Sequence, residues 1–477
     1  MSPSIVWFRL DLRLADQPAL QAAIQRGGPV IPLYIWAPEE EEDWPPGACS
    51  RWWLHHSLQH LQVRLNEIGG QLIIRRGPSE DALRQLIRET GAEAVFWNRR
   101  YEPAIIERDR LLKLQLQSNG VRVQNSNGSL LLEPWEVQTK QGKPYQVFTP
   151  FWKSAQEHLG EIHPYPEPKK LHGIAKEVDS LSVDDLSLLP HIPWDAAFLE
   201  HWSPGETGAH SALATFLDES VDDYSAQRDR PDCRGTSRLS PHLHFGEISP
   251  WQVVQAMQGR GLTTSQPGGP RTFYNEIGWR EFAHHVLFHF SQTPSKPLRE
   301  AFAEFPWERN KRHLKAWQRG LTGYPIVDAG MRELWSTGWM HNRVRMIVGS
   351  FLTKDLRISW QEGARWFWDT LVDADLPNNT LGWQWISGCG ADAAPYFRVF
   401  NPVTQGEKFD PEGSYVRRWC PELADLPNRW IHQPFNAPPD VLTQARIRLG
   451  HDYPEPLVDH GEARTAALEA FQRIRKS

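Results

Sequence analysis

Ile5-Val6-Trp7-Phe8, followed at once by Arg9-Leu10-Asp11-Leu12-Arg13, is a short apolar run stopped by charge. Four similar runs follow: Val30 to Trp36, Gln71 to Arg75, Ala94 to Asn98 and Val121 to Gln124. Their length and their β-branched and aromatic content predict strands. Between them lie helical patterns over Pro18 to Arg26, Arg51 to Ile68, Glu80 to Thr90 and Ala104 to Ser118. Each is long enough to cross over between parallel neighbours, so the rhythm predicts a five-stranded, doubly wound parallel sheet. No G-x-G-x-x-G follows the first strand, which disfavours a nicotinamide-type dinucleotide site there. The same stretch lacks the unbroken apolar run of a secretory signal.

With 477 residues the chain exceeds what one hydrophobic core usually serves, so two domains and a connector are expected. Prolines 164, 166, 168, 190, 193 and 204 mark the connector. Beyond it strand signals fade. Ser240-Pro241 and Ser249-Pro250 read as N-caps followed by proline at the first helical position, and the second half is expected to be all α. The expected division is an α/β domain over 1–130, a connector over 131–205 and a helical domain over 206–477. Lys plus Arg number 52 against 58 Asp plus Glu, a net charge of −6, so any nucleic-acid site must be a local patch. No apolar run of about 18 residues occurs, and a cytoplasmic, monomeric protein without a membrane span is expected. Cys49, Cys233, Cys389 and Cys420 lack the spacing of a metal site or a disulfide framework. His56 and His60, and His285 and His289, are spaced i, i+4 without a third ligand and read as helix-surface histidines; no metal is expected.

Several constellations carry chemistry. Glu276, Trp279 and Arg280 fall at i, i+3 and i+4 and so share a helix face, which suits either a binding surface or a core helix with a surface ion pair. Asn342, Arg345 and Met346 repeat that spacing, with Val344, Ile347, Val348 and Phe351 as the opposing apolar stripe. Residues 308 to 345 hold eight Lys or Arg (309, 311, 312, 315, 319, 332, 343, 345) against three acids (308, 328, 333), a local excess that fits phosphate contact, with tryptophans interleaved for stacking. Gly235-Thr236-Ser237-Arg238-Leu239-Ser240-Pro241 sets small hydroxylic residues at a helix start, which suits a pyrophosphate or ordinary capping. Asp373 and Asp375 require partners if buried, and Arg345 is one candidate. Trp307, Trp360 and Trp383 carry no polar motif and by themselves read as core packing.

Taken together, Trp7-Phe8-Arg9 with Asp11-Leu12-Arg13, Gly235 to Ser240, Trp279-Arg280-Glu281-Phe282, Thr322-Gly323-Tyr324-Pro325, Trp339 to Arg343 and Trp383-Gln384-Trp385 resemble the photolyase/cryptochrome family from residue 5 to about 475. The resemblance implies an N-terminal α/β domain able to hold an antenna pigment and a helical domain holding bent FAD. It places Tyr224, Thr236, Ser237, Arg238, Leu239 and Ser240 at the pyrophosphate, Asp373 and Asp375 near the ribose and isoalloxazine with Arg345 paired to Asp373, and Asn379 facing flavin N5. Phe273, Arg280 and Asn342 complete the FAD set, Phe273 standing where some members have Trp at the adenine. For substrate it implies DNA bearing pyrimidine dimers. Trp279 and Trp385 would wall the lesion pocket, Glu276 bond the pyrimidine edge, Met346 pack on the rings, and Arg228, Arg280, Asn342 and Gln405 line the pocket and DNA path. Trp383, Trp360 and Trp307 match the family's electron-transfer chain.

The family reaction is electron donation from the reduced FAD anion under blue light, opening of the cyclobutane ring and return of the electron, so the chain is expected to be a class I cyclobutane pyrimidine dimer photolyase. Asn379 favours repair, since plant-type receptors of the family carry Asp there and insect-type receptors Cys. Tyr101-Glu102-Pro103 leads into Ala104-Ile105 where folate-antenna members carry an Asn-Glu pair, which leaves deazaflavin, flavin or no second pigment. The rivals are a cryptochrome photoreceptor, for which a long C-terminal extension is expected where this chain ends at Ser477, and a six-four photolyase, expected to carry two His where Asn342 and Met346 stand.

Overall fold

The computed structural model describes residues 1–161, 163–393 and 398–476. Five parallel strands, β1 (Ser4–Phe8), β2 (Val30–Trp36), β3 (Ile73–Arg76), β4 (Ala94–Asn98) and β5 (Arg122–Ser126), form one sheet in the order β3-β2-β1-β4-β5. The order reverses at β1, which pairs with both β2 (Ile5 opposite Ile31) and β4 (Ile5 opposite Val95). Every residue of β1, β2 and β4 is buried, as a sheet covered on both faces requires. The crossovers are α1 (Pro18–Arg26), α2 (Ala48–Glu67), α3 (Ser79–Thr90) and α4 (Pro103–Ser118). Leu83, Leu86, Leu112 and Leu116 of the last two close on Trp7, Leu33 and Trp97 in one core.

The strands expected at 71–75 and 121–124 begin later, at Ile73 and Arg122. In the first case the chain is still leaving the turn at Gly69, whose positive φ of 86° follows the end of α2.

Helices continue the chain: α5 (Phe148–His158), α6 (Phe198–His201), α7 (Glu206–Glu219), α8 (Tyr224–Gln227), α9 (Ser240–His244), α10 (Pro250–Gly259), α11 (Gly269–His289), α12 (Lys311–Gln318), α13 (Pro325–Thr337), α14 (Asn342–Ser350), α15 (Trp360–Thr370), α16 (Leu376–Ser387), α17 (Pro402–Phe409), α18 (Ser414–Trp419), α19 (Pro439–Gln444) and α20 (His460–Lys476). Ser249 caps α10 through a reciprocal box with Gln252, its hydroxyl accepting from Gln252 N at 3.0 Å while the Gln252 side chain accepts from Ser249 N at 2.9 Å. Ser240 does not act as a cap, against the sequence expectation. It is the first residue of α9, preceded by Leu239, and its side chain makes no capping bond. Among the described residues no helix is long and apolar enough to cross a membrane.

The chain divides into two compact units. The first comprises Met1–Asp222, Ser237–Ser291 and Val372–Pro377, and the second Asp223–Thr236, Gln292–Leu371 and Asn378–Ser477.

Candidate functional site

In the first unit α11 carries the Glu276, Trp279 and Arg280 face. α5 braces that helix from within the expected connector, and its buried Phe148, Phe151, Trp152 and Ala155 at i, i+3, i+4 and i+7 are the helix signal the sequence reading passed over. Phe148 of α5 lies flat on Trp279, ring centroids 3.9 Å apart and planes 10° off parallel. Trp152 donates through Nε1 to Asn275 Oδ1 at 3.1 Å. A Cβ at position 278 would lie 2.5 Å from the Trp152 ring, so only glycine lets the two helices come this close. Glu276 and Trp279 are half-buried. Arg280 donates to Ser129 O at 2.6 Å, which fixes one arm of its guanidinium. Glu281 accepts from Leu131 N at 2.9 Å, and burial, only partly offset by Arg280 and these amides, pushes its carboxyl up to about 7.

His285 is buried rather than on the surface as the i, i+4 spacing suggested. It takes part in the core, accepting from Tyr145 N at 3.0 Å, with its other ring nitrogen 3.1 Å from Pro134 O.

The same unit holds Ser237 to Ser240. Arg238 has a positive φ of 52° and Leu239 returns to φ −81°, ψ −8°. Such a left-handed to right-handed step turns successive backbone N–H groups toward one side, a concavity suited to an anion. This loop geometry, more than the dipole of the five-residue α9, is what fits a pyrophosphate. Asp375 lies with its carboxylate 3.3 Å from His244 Nδ1. Burial opposes its charge, but His244, His284 and Arg280 together hold the carboxyl well below the usual range, so it is an anion. Asp373 is buried, and Phe273 is buried at 4.6 Å from Phe216.

In the second unit His341 caps α14, its Nδ1 accepting from Arg343 N at 3.2 Å. Glu333 Oε2 in turn receives Tyr415 OH at 2.6 Å and His341 N at 3.3 Å. Val344, Ile347, Val348 and Phe351 are buried as the periodicity requires, while Asn342 is exposed and Arg345 and Met346 half-buried. Arg345 donates to Met340 O at 2.7 Å. Arg228 lies over the Tyr224 ring at 5.6 Å, and Gln405 stands half-buried on α17.

On α16, Asn379 and Trp383 are one turn apart. Asn379 donates its amide to Ala364 O at 3.0 Å. Trp383 is buried against Phe367 (5.0 Å) and Trp317 (6.3 Å), and Gly363 leaves room for its ring, because a Cβ there would lie 2.1 Å from it. Trp360 is buried; Trp307 is half-buried, 4.4 Å from Phe305. Gln384, between Trp383 and the half-buried Trp385, was quoted in the sequence motif without a role. It accepts from Leu298 N at 2.9 Å and donates to Thr293 O and Lys296 O at 2.7 and 2.8 Å, pinning the 293–298 segment to α16.

The basic stretch at 308–345 is not one patch. Arg332 pairs with Glu422 at 2.7 Å and Arg343 with Asp229 at 2.8 Å, and Arg345 bonds the backbone. Arg309, Lys311, Arg312, Lys315 and Arg319 remain exposed. Among the described residues no cluster of three or more His, Cys, Asp or Glu is arranged to hold a metal ion.

Residues 273–473 match the family model described as the FAD binding domain of DNA photolyase, and residues 4–169 match the DNA photolyase model. The chain is 50% identical over 478 residues to a deoxyribodipyrimidine photo-lyase of Agrobacterium fabrum, covering 100% of this chain and 99% of that one. It is 42% identical to cryptochrome-1 of Arabidopsis thaliana, over 99% of this chain and 70% of the relative. A crystal structure of a bacterial class III photolyase from Agrobacterium tumefaciens superposes with a TM-score of 0.96 at 49% identity, covering 100% of this chain and 98% of the other. Fold and matches together define a photolyase-type flavoenzyme, with a parallel α/β domain followed by a helical FAD-binding domain. The chain belongs to the photolyase/cryptochrome family. The class I expectation finds no support, because the structure that superposes over the whole chain is of class III.

Proposed function

We propose that this chain is a class III photolyase that repairs cyclobutane pyrimidine dimers in DNA. The observation that carries the reading is the α11 face, where half-buried Glu276 stands beside a Trp279 ring held rigid by Phe148 at 3.9 Å. A dimer lies inside the duplex and must be turned out at a cost of about a few kcal/mol. Stacking on a fixed indole returns about 1–3 kcal/mol per base. In this reading Trp279 and Trp385 wall the pocket, Glu276 donates to the pyrimidine edge when protonated, and Met346 packs on the rings. Arg228, Arg280, Asn342 and Gln405 lie along the pocket and DNA path.

Tyr224, Thr236, Ser237, Arg238, Leu239, Ser240, Phe273, Arg280, Asn342, Arg345, Asp373, Asp375 and Asn379 would hold FAD. The Arg238–Leu239 turn suits its pyrophosphate, and the Asp375 anion supplies a fixed negative charge. Bound there in reduced form, FAD would supply light-driven one-electron donation to the dimer. The protein's part is to place the lesion, exclude water and stabilise transient charge with fixed donors. Trp307, Trp360 and Trp383 carry replacement electrons inward. The functional division proposed is 1–130, 131–205 and 206–477.

The reading is tested by lesion choice. Under blue light with reductant, an oligonucleotide bearing a cyclobutane dimer is converted to intact thymines and one bearing a six-four photoproduct is left unchanged; the opposite preference would refute it. The identity to cryptochrome-1 favours a second reading, a photoreceptor. Flavin photoreduction in a protein that leaves dimers intact would establish that alternative. A second absorption band beside that of FAD in the purified protein would reveal an antenna pigment.

A further inference from the structure

We propose that the basic face of α12 is the docking surface for an acidic one-electron carrier protein that refills Trp307. The inference rests on the reading above in one respect, that Trp307 is the outer end of the tryptophan chain.

At 100° per residue, Lys311, Arg312, Lys315 and Arg319 fall on one side of the helix axis and Leu314 and Trp317 on the other. The structure realises this division. Trp317 is fully buried, donates through Nε1 to Val348 O at 3.0 Å and lies 6.3 Å from Trp383, which fastens the apolar side of α12 to the body of the unit. The opposite side is solvent-exposed and cationic. None of the side chains of Arg309, Lys311, Arg312, Lys315 and Arg319 has a hydrogen bond or an acidic partner among the described residues. Glu308, the adjacent acid, is already taken by Arg357 at 2.6 Å. Like charges so gathered repel one another, and an acidic partner surface relieves that repulsion.

Two neighbours say what kind of partner. Trp307 lies two residues before Arg309 and four before Lys311 and is half-buried, so the cationic segment starts close to it along the chain. Arg332 of α13 donates to Gly320 O at 3.1 Å just beyond α12, and one turn further on Trp335 is 58% exposed, stacked on Trp366 at 6.2 Å. A cationic stripe flanked by an exposed indole is the composition of a protein-binding surface, with the ring as anchor and the charges steering the encounter. The stripe extends over about 12 Å, two helical turns, the scale of one compact acidic face. The transfer balances simply: an electron that has moved inward leaves Trp307 one short, the carrier's reduced centre supplies one, and the carrier departs oxidised by one electron with no proton moved.

The test measures light-driven flavin reduction in the FAD-loaded full chain with reduced flavodoxin as the acidic carrier, and in parallel with dithiothreitol, a small neutral donor. The variant Lys311→Glu/Arg312→Glu/Lys315→Glu, and separately the parent at about 0.5 M salt, are expected to lose carrier-supported rate by about tenfold or more, with the dithiothreitol rate unchanged. Equal carrier rates in parent and variant would overturn the proposal. So would a variant that keeps the carrier rate but loses affinity for DNA, since the stripe would then be a phosphate surface. If Trp307→Phe leaves the dithiothreitol rate intact, the tryptophan-chain reading itself fails and takes the proposal with it, an outcome visible apart from the other two.

Discussion

Trp279 is clamped on one face by Phe148 and Glu281 is buried with a raised carboxyl, and both facts lead to single-residue tests. Trp279→Ala is expected to weaken binding of a dimer-containing oligonucleotide by about 1–3 kcal/mol, the worth of stacking per base, as read by fluorescence anisotropy; unchanged affinity would remove the indole from the pocket. Glu281 titrates near 7 in the fold and lower when unfolded, so the folded chain holds its proton more tightly. Its stabilising contribution is therefore full below the unfolded value near 4.5 and is lost as pH rises through about 7. Thermal melts of Glu281→Gln should show a smaller loss of stability between acidic and mildly alkaline pH than those of the parent. The Glu276, Trp279 and Arg280 face was legible because three side chains share one helix surface. Phe148 was not, since it touches Trp279 across a long sequence separation, although Phe148, Phe151, Trp152 and Ala155 fall at i, i+3, i+4 and i+7 and mark one helix face. His285 was misread for a related reason: spacing alone does not distinguish a histidine facing solvent from one whose ring nitrogens meet buried backbone groups.

At the scale of elements, close approach decides where the aromatic groups sit. α15 meets α16 at Gly363, where a methyl group would lie 2.1 Å from the Trp383 ring. Gly363→Ala is expected to cost about 1–3 kcal/mol by overpacking and to slow flavin photoreduction by displacing the indole, as seen by thermal melt and by absorbance under light. Trp383→Phe should slow photoreduction while sparing repair by chemically reduced enzyme; equal photoreduction rates in mutant and parent would remove Trp383 from the chain. Strands β2 and β4 and helix α1 begin and end where the sequence places them, because buried β-branched runs and a proline at a helix start give sharp signals. Ser240 shows the limit. A Ser-Pro pair is compatible with a cap or with the first two helical positions, and the backbone turn at Arg238 shifts α9 one residue earlier.

For the whole molecule, the α/β domain, the helical FAD-binding domain and the family were legible from the strand rhythm and from motifs spread along the chain. The class was not, and the class I expectation rested on motifs that a class III structure at 49% identity did not bear out. The net charge of −6 leaves phosphate contact to local cations such as Arg228 on the proposed DNA path. DNA affinity is accordingly expected to fall with salt at a log–log slope of about −0.9 per phosphate contacted, and a flat response would argue against backbone contact. The most direct measurement is exposure of the chemically reduced, FAD-loaded protein and a dimer-containing oligonucleotide to blue light, followed by assay of the thymines. The account predicts intact thymines in the light and none in the dark, with the flavin still reduced at the end. Dimer that survives prolonged light, with the flavin shown to be bound and reduced, would contradict it.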